Sequence, residues 1–378
     1  MSNHVVEQVA PIFSITDDIL GVGIDQLRMK TLRNLRTGES FGIVWESGGK
    51  TERLRLISAK TGMLRDVLQT HGNNATAVRL EEHYAGSILL PFANRIANGT
   101  YSFFGTTHHL PRNECSDPSI RCDALHGFLF NRTLRVIRSS IGSNFASLTL
   151  GYDFDGRSTP GWPFRATAEV TYALTAHDTH SSARGPGVAY ITTKLTNREP
   201  TSSLPFFNSW HPYFRVSDVS RARIEFDSCG ATDNASAWRH VSMGAGAPRK
   251  GTLLPSGGST PWAPSWRIGG SRALPTYMDD EFVATTPTAA FRHGCARDAN
   301  NFEQRIVDEG GDGDAAVLFA DRQHRVYQIF TGAKEGWGWD AIALEPMSGL
   351  ADAYNNGDGL RVLAAGEAFE GTFGVTLQ

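Results

Sequence analysis

The segment Ala168-Glu-Val-Thr-Tyr-Ala-Leu174 places apolar side chains at every second position. A period of two puts successive side chains on opposite faces of a β-strand, so that one face can be buried. The neighbouring segments Ser147-Leu-Thr-Leu-Gly-Tyr152 and Ala189-Tyr-Ile-Thr-Thr-Lys-Leu195 repeat the pattern. Three such runs separated by turn residues indicate adjacent strands of an antiparallel sheet.

The same alternation continues along the rest of the chain, whereas helical patterning is scarce. A short helix is predicted only for Thr61-Gly-Met-Leu-Arg-Asp-Val-Leu-Gln69, and the Gly, Pro and Ser-rich stretch Ala245–Trp266 indicates a long loop. Many short strands with few helices predict an all-β fold, a large antiparallel β-sandwich occupying residues 1–378 as one domain. The further predicted strands are Thr133–Ile137, Ala222–Phe226, Ala316–Phe319, Arg325–Phe330 and Gly371–Leu377.

The composition excludes several classes of partner. Lys and Arg number 36 against 39 Asp and Glu, which gives a formal net charge of −3 and no attraction to nucleic acid. The apolar stretches are too short to span a bilayer, and residues 1–10 do not resemble a signal peptide. Four cysteines are few for this length and are typical of a reducing compartment. A cytoplasmic protein, monomer or homodimer, that binds no membrane is predicted.

Several short segments each place a polar side chain in an apolar, turn-rich setting. Taken one at a time, Arg95 and Glu345 are typical of ion-paired residues, and His126 and His211 of hydrogen-bonded core histidines. The evidence for a functional role is the order in which these segments occur along the chain. The segments are Leu90–Tyr101, Asp123–Phe128, Asn208–Phe214, Tyr277–Phe282, Ala343–Asn355 and Leu363–Phe369.

This order resembles the galactose mutarotase (aldose 1-epimerase) family. In that family a Pro-x-x-Asn-Arg-Ile segment precedes Leu-His-Gly, and a His-Pro-Tyr-Phe turn follows. An Asp three residues before an aromatic comes next, then Glu-Pro leading into Asp-Ala-x-Asn, and finally a Gly-Glu ending. All six occur here between residues 90 and 369, about three quarters of the chain. The resemblance implies the large galactose mutarotase-like sandwich, and it is looser over the first eighty residues, where an early strand is expected at Gly21–Leu27.

The resemblance also implies roles for five residues. Glu345 matches the catalytic base and His211 the general acid, while His126 matches a histidine that hydrogen-bonds the sugar near its ring oxygen. Arg95 and Asp279 match residues that hold sugar hydroxyls. Asp279 is chosen over its neighbour because it lies three residues before an aromatic, although the Asp doublet leaves that assignment open.

Three further residues are predicted to bind substrate. Asn94 belongs to the first motif, and Trp210 and Tyr213 flank the proposed acid. Together with Phe214, these aromatic rings supply a wall for a pyranose face, or they are ordinary core aromatics, which burial preferences make equally acceptable. The proline after each catalytic residue favours extended backbone at His211 and Glu345.

The residue types suit the chemistry that the resemblance implies. Opening a hemiacetal ring requires removal of the C1 hydroxyl proton and donation of a proton to the ring oxygen. A carboxylate can do the first and an imidazolium the second, and the roles reverse on closure. Interconversion of the α and β anomers of a free aldohexose such as galactose or glucose needs only these transfers. No cofactor or metal is predicted, and the partner is a small-molecule sugar.

Alternative interpretations remain open at this point. A hexose-6-phosphate epimerase on the same fold would use cationic donors such as Arg112, Arg121 and Arg132, and a non-catalytic sugar-binding protein would need no facing acid and base. The stretch with His108, His109, Cys115, Cys122 and His126 has no recognised zinc-site spacing. The compartment argument disfavours a disulfide between the two cysteines. The insertion Pro111–Arg121 and the Met347 found where many family members carry glutamine are departures from the family pattern.

Overall fold

A computed structural model describes residues 12–80, 82–117, 121–176, 186–226, 238–241, 260–261, 278–284 and 301–378. Within these ranges the chain is a succession of strands with three short helices, α1 (Ala75–Leu80), α2 (Ala333–Trp337) and α3 (Ala353–Asn356). Single 3₁₀ turns lie at Glu82–Tyr84, Ala97–Gly99, Leu129–Asn131 and Val219–Arg221.

The strands in chain order begin with a series that runs as far as the middle of the sequence. They are β1 (Phe13–Val22), β2 (Asp25–Asn34), β3 (Ser40–Val44), β4 (Lys50–Ile57), β5 (Leu64–Asp66), β6 (Ser87–Leu89), β7 (Arg95–Ile96), β8 (Thr100–Phe103), β9 (Thr106–His109), β10 (Glu114–Asp117), β11 (Arg121–Leu125), β12 (Arg135–Ile141), β13 (Phe145–Asp155) and β14 (Arg165–Thr175).

The second half of the chain continues the same architecture. Its strands are β15 (Val188–Asn197), β16 (Leu204–Phe206), β17 (Ser209–His211), β18 (Tyr213–Arg215), β19 (Ala222–Phe226), β20 (Trp238–Val241), β21 (Thr260–Pro261), β22 (Asp279–Ala284), β23 (Asn301–Asp308), β24 (Ala315–Asp321), β25 (Val326–Phe330), β26 (Ala341–Met347), β27 (Arg361–Leu363) and β28 (Ala368–Leu377).

Two large antiparallel sheets and a smaller N-terminal sheet organise these strands. One large sheet has the order β12-β13-β14-β15-β28-β24-β23-β19. The other runs β21-β20-β22-β25-β26-β17-β6, with β18 also paired to β26, and we call it the site sheet. The N-terminal sheet is β1-β2-β3-β4-β5. Strands far apart in sequence are neighbours in both large sheets, which is characteristic of a β-sandwich.

The core lies between the two large sheets. Trp210 of β17 stacks against Phe373 of β28 with ring centroids 6.4 Å apart, and both side chains are fully buried. Buried residues of all three sheets form one continuous apolar cluster. Burial of such aromatic and aliphatic area is the main favourable contribution to folding.

The predicted fold class is confirmed, and the alternating segments are strands. The segment that begins at Ala168 lies inside β14, whose burial alternates residue by residue, and its two neighbours lie inside β13 and β15. The other five predicted strands fall in β12, β19, β24, β25 and β28. Period two was the deciding signal because one face of each strand is buried in the sandwich.

Two local predictions are wrong. The segment Thr61–Gln69 is not a helix, because Leu64–Asp66 pairs with β4 and the next residue donates to the Leu54 carbonyl. Tertiary pairing here overrides the local preference. The early strand expected at Gly21–Leu27 is wrong in that it is not continuous: Gly21 and Val22 end β1, Asp25 begins β2, and the turn between them contains Gly23, which adopts a left-handed φ of 65°. The predicted loop Ala245–Trp266 lies outside the described residues apart from β21.

Within the described ranges, none of the helices has the length and apolar character that crossing a membrane requires. The assignment of the whole chain to one domain stays a prediction.

Candidate active site

One face of the site sheet carries a row of buried polar side chains. Glu281 of β22 pairs in register with Gln328 of β25, and Gln328 pairs with Glu345 of β26. Register partners of an antiparallel sheet point to the same face. All three side chains are at most 2% exposed, so this face holds polar groups in a region that water barely reaches.

The alternation of β22 separates the two residues of the Asp doublet. Asp279 lies two residues before Glu281 and therefore on the same face, where Gln328 donates a hydrogen bond from Nε2 to its Oδ1. Asp280 lies on the same face as Phe282, which is buried in the core. The structure thus places Asp279 with the row of polar groups, as the sequence pattern favoured.

His211 is the last residue of β17, and its side chain lies next to Glu345 of this row. Pro212 interrupts the strand, and Tyr213 begins β18, which pairs with β26 at Ala343. His211 and Tyr213 point to the same side, and their rings stack with centroids 5.0 Å apart. Tyr213 is 2% exposed and is packed behind the imidazole. Tyr213 therefore supports His211 from behind, and its ring is not an exposed surface against which a sugar could pack.

The central contact of the site joins His211 and Glu345. Nε2 of the imidazole lies 3.4 Å from Oε1 of the carboxyl, and both side chains are almost fully buried. Among the described residues, Nδ1 of His211 and Oε2 of Glu345 have no hydrogen-bond partner. Buried polar atoms are nearly always paired, so orphaned atoms at one place indicate a site that receives its partners from a ligand.

Burial controls the protonation of this pair. It lowers the pKa of His211 to about 3, and the nearby His83 adds to that effect. It raises the pKa of Glu345 well above the usual carboxyl range, with further contributions from Asp279 and Glu281, while Arg95 opposes the rise. Low polarity disfavours charge on both partners. Burial therefore favours a neutral imidazole and a protonated carboxyl in this pair.

His126 lies beside His211, with ring centroids 5.2 Å apart. The backbone N–H of Asn94 donates to its Nδ1 at 3.1 Å, so the neutral ring carries its proton on Nε2. Burial lowers the pKa of His126 well below 6.5, which keeps the ring neutral. The following Gly127 has a φ of 70°, and a Cβ there would lie 2.3 Å from the Leu90 carbonyl oxygen. The Leu-His-Gly motif therefore needs its glycine for close packing.

Arg95 completes the row of charged groups. Its guanidinium donates two hydrogen bonds to Glu114 at 2.6 and 2.7 Å and one to Oδ1 of Asn94 at 3.2 Å, and it lies 3.9 Å from Asp279. Burial lowers the pKa of Arg95, but the charges of Asp279 and Glu114 more than compensate and raise it. The arginine is thus a permanent cation held between two carboxylates.

Asn94 ties these parts together. It adopts a left-handed φ of 48° and is 2% exposed. Its amide donates to Oε1 of Gln328 at 3.1 Å, while its Oδ1 accepts from the backbone and side chain of Arg95. The structure therefore brings together Arg95, His126, His211, Asp279 and Glu345, which lie up to 250 residues apart. Asn94 bonds directly to Arg95 and, through its backbone N–H, to His126, and it reaches Asp279 through Gln328.

One predicted substrate residue lies elsewhere. Trp210 points to the opposite face from His211 because neighbouring residues of a strand alternate, and it packs against Phe214 and Phe373 in the core. Its prediction as a sugar-binding wall is wrong. Phe214 is likewise buried at 0% exposure, so for these two aromatics the core interpretation is the correct one.

The structure adds three residues that the sequence did not single out: Tyr84, Glu114 and Gln328. Tyr84 is half-buried, has a φ of 55°, and lies 4.6 Å from the His126 ring and 6.5 Å from that of His211. A bulky residue with positive φ is uncommon and often marks a functional position. No local motif surrounds these residues, so only their spatial neighbours identify them.

Asp352 and Asn355 of the Asp-Ala-x-Asn motif hold the backbone of the site. Oδ1 of Asp352 accepts from the N–H of Ala97, and the N–H of Asp352 donates to the Arg95 carbonyl. Asn355 donates to the Thr100 carbonyl and to Asp352. The Asp-Ala-x-Asn motif thus anchors the segment that carries Arg95, which is a structural role.

The cysteine prediction is wrong in one respect. Cys115 and Cys122 form a disulfide between β10 and β11, against the expectation from the compartment argument. Their thiolates are therefore not free to bind zinc, and within the described residues no group of three His, Cys, Asp or Glu side chains is placed to hold a metal. Of the other zinc candidates, His108 stacks on Tyr101. Cys229 and Cys295 lie outside the described residues.

Glu281 provides a stability test for this buried face. Burial raises its pKa to about 8, so the folded protein holds a proton that the unfolded chain releases above its ordinary value of 4.5. The contribution to stability is therefore present below 4.5 and is lost as the pH rises through about 8. Glu281→Gln keeps the acceptor for the Ala351 N–H and removes the titration. We expect the Tm of this variant to fall less over that interval than the Tm of the parent.

The measurement is thermal unfolding at a series of pH values. Glu370, an exposed carboxylate of β28, gives the control substitution Glu370→Gln, which should leave the slope unchanged. Identical slopes for parent and Glu281→Gln would contradict the buried protonated state of Glu281.

Comparison with solved structures identifies the fold. A galactose mutarotase-like protein from Clostridium acetobutylicum superposes with a TM-score of 0.71 at 15% identity, covering 97% of this chain and 98% of that protein. A galactose 1-epimerase from Lactobacillus acidophilus NCFM gives a TM-score of 0.65 at 14% identity, covering 97% and 99%. The chain has the galactose mutarotase-like fold.

Comparison of sequences identifies the family. The family model described as aldose 1-epimerase matches residues 55–376. This chain belongs to the aldose 1-epimerase family, a family of sugar isomerases. It is also 34% identical over 94 residues to the uncharacterized protein YihR from Escherichia coli strain K12, a match that covers 25% of this chain and 27% of that relative.

Proposed function

We propose that this protein is an aldose 1-epimerase that interconverts the α and β anomers of a free aldohexose such as galactose or glucose. The observation that carries the proposal is the buried contact of 3.4 Å between His211 and Glu345, with one orphaned polar atom on each side chain. A facing proton donor and acceptor is what anomer interconversion requires, and a protein that only binds sugar does not need it.

The geometry suits the two proton transfers. The hydroxyl oxygen and the ring oxygen of a cyclic aldose are both bonded to C1, so two groups only a few ångströms apart can serve them together. In this mechanism Glu345 takes the C1 hydroxyl proton while His211 donates a proton to the ring oxygen. The open-chain aldehyde then rotates about its C1–C2 bond and closes with the roles reversed. Each transfer needs an approach of about 2.6–3.2 Å, which tightens on binding.

The proton count of the pair agrees with this assignment. A neutral imidazole beside a protonated carboxyl carries one proton, and so does an imidazolium beside a carboxylate. Transfer of that proton from Glu345 to His211 therefore prepares the reactive form without exchange with solvent. Sugar hydroxyls that hydrogen-bond to the charged groups, together with the cation of Arg95, would favour this form.

The other residues of the site hold the sugar. Nε2–H of His126 is a donor directed by the Asn94 backbone, and it is placed to bind an oxygen near His211. Asp279 offers a carboxylate held by Gln328, and Arg95 offers its remaining N–H groups. Tyr84 adds an aromatic surface beside both histidines. Such a combination of charged groups and an aromatic ring suits a polyhydroxylated ligand.

The pH dependence of kcat/KM should follow from the buried pair. Because burial lowers the pKa of His211 to about 3, the pair gains a second proton only near that pH. Because burial raises the pKa of Glu345, the single proton is lost only at a pH well above 4.5. We expect kcat/KM to stay high far below pH 6.5, the ordinary histidine value, and to fall on the basic side only at a pH well above 4.5. A limb centred near pH 6.5 on the acid side would contradict this assignment.

The direct test is an anomer-equilibration assay. Fresh α-galactose, α-glucose and their 6-phosphates are each followed by polarimetry, with the spontaneous rate subtracted. Acceleration with the free sugars supports the proposal, whereas acceleration with the 6-phosphates alone would favour the hexose-6-phosphate epimerase. Arg132, one of the candidate phosphate donors, donates to the Ser158 carbonyl. No acceleration with any aldose would leave the sugar-binding protein as the better interpretation.

A further inference from the structure

The insertion that departs from the family pattern lies against the candidate site. Its strands β10 and β11 form a hairpin, and β11 pairs in turn with β7, where Leu125 faces Arg95. The last residue of β11 is followed directly by His126. We call residues 113–117 and 121–125 together the cystine hairpin, because Cys115 and Cys122 join its two strands. One strand of it therefore continues into the site, and the other is at the edge of its small sheet.

The edge strand supplies the main partner of Arg95. Glu114 accepts hydrogen bonds from Nε and Nη2 of the guanidinium at 2.6 and 2.7 Å, a bidentate geometry. Asn94 accepts a third from Nη1. A guanidinium has five N–H groups, so two of them make no hydrogen bond to the described residues, although Nη2 also lies 3.9 Å from Asp279. The bidentate hydrogen bonds to Glu114 therefore fix the direction of the two remaining N–H groups of Arg95.

The backbone pairing between β10 and β11 is irregular. Glu114 faces Asp123 and Asp117 faces Arg121, with a register shift between these pairs. In the small sheet β10 has only β11 as a neighbour. The disulfide lies immediately beside the Glu114–Asp123 pair. A cross-link at this point restricts the positions that Glu114 can adopt relative to Arg95.

The hairpin also holds two other parts of the site. Asn113 exchanges hydrogen bonds with the backbone of Leu125 and donates to the hydroxyl of Tyr84 at 3.1 Å. The carboxylate of Asp123 accepts from the N–H of Asn98 at 2.8 Å. None of these contacts touches the His211–Glu345 pair. The hairpin thus acts directly on the residues that hold the sugar, and it reaches the proton-transfer pair only indirectly, through Arg95 and Tyr84.

We propose that the cystine hairpin positions Arg95 through Glu114, so that reduction of the disulfide weakens sugar binding more than it slows proton transfer. This inference rests on the proposed function for the identity of the ligand. Glu114 is a positioning residue, because it acts through Arg95. Cys115 is exposed, so a dithiol reductant can reach the bond. In the reaction the two thiols of the reductant are oxidised to a disulfide, and each protein sulfur becomes a thiol.

The test compares the parent, Glu114→Gln, the double variant Cys115→Ser/Cys122→Ser, and the control Cys229→Ser/Cys295→Ser, with and without dithiothreitol. Both kinetics of galactose equilibration and calorimetric affinity for galactose are measured. Reduction of the parent, the cystine double variant and Glu114→Gln should each raise KM and Kd about tenfold or more, as expected when a charge-assisted clamp is lost. The kcat should fall much less than KM rises.

The controls separate a specific effect from general damage. The cystine double variant should no longer respond to dithiothreitol, whereas the Cys229→Ser/Cys295→Ser control should respond as the parent does. Unchanged KM and Kd after reduction and in Glu114→Gln would overturn the inference, as would a loss of kcat equal to the rise in KM. A parent that binds galactose without equilibrating it would overturn the proposed function alone, because the affinity measurements still decide the role of the hairpin.

Discussion

Glu345→Gln is expected to lower kcat by about 10²-fold or more, the contribution of a positioned general base. The substitution keeps the size of the side chain and its hydrogen bonding but removes the group that takes the C1 proton. Apparent sugar affinity should change much less, because a transition-state interaction lowers kcat without a matching rise in KM. The rate of approach to anomeric equilibrium, followed by polarimetry with galactose and glucose, gives both parameters.

Arg95→Ala is the contrasting variant for this experiment. Its proposed task is to hold hydroxyls in the ground state, so its loss should raise KM in addition to any effect on kcat. If Glu345→Gln equilibrates both sugars as fast as the parent, Glu345 is not the base. A rise in KM alone for Glu345→Gln would instead place it among the residues that only bind.

His211→Asn should lower kcat by a similar factor of about 10² or more, since it removes the proton donor to the ring oxygen. Asparagine keeps a polar side chain of comparable shape, so that a large change in fold is avoided. Loss of the imidazole also leaves Glu345 without its facing partner, and the acid limb of the pH profile assigned to His211 should disappear. The measurement is kcat/KM over the same pH series used for the parent.

His324 offers a matched control for the removal of a buried imidazole. Its ring contacts Asp321 at 2.9 Å and Asn208 at 3.2 Å, away from the site sheet residues named above. His324→Asn should lower the Tm through loss of these buried contacts while kcat is retained. If His324→Asn lowers kcat as much as His211→Asn, the effect reflects general disturbance of the fold and not the loss of an acid.

The sequence alone determined the fold class, because a strand with one buried face has apolar residues at every second position. The segment from Ala168 to Leu174 carries that signal without any help from tertiary structure. The order of the motifs likewise indicated the family and singled out His211 and Glu345 as candidate site residues, since both lie in distinctive local motifs. Both patterns are formed by residues close together in the sequence, so they can be recognised without the tertiary structure.

What the sequence could not supply are the properties that depend on neighbours from distant strands. Strand alternation placed Trp210 in the core and Asp279 in the site, and pairing with β4 converted the expected helix at residues 61–69 into a strand. Glu114 and Gln328 became visible only through their contacts with Arg95 and Asp279.

The protonation state of the His211–Glu345 pair also depends on tertiary structure. Sequence chemistry predicted a carboxylate and an imidazolium from their ordinary pKa values, whereas burial within the sandwich favours both neutral forms. The sequence by itself therefore determined which residue types meet and in what order along the chain. Their distances, their protonation and the disulfide beside Arg95 were decided by folding, because each depends on groups that only the packed sheets bring together.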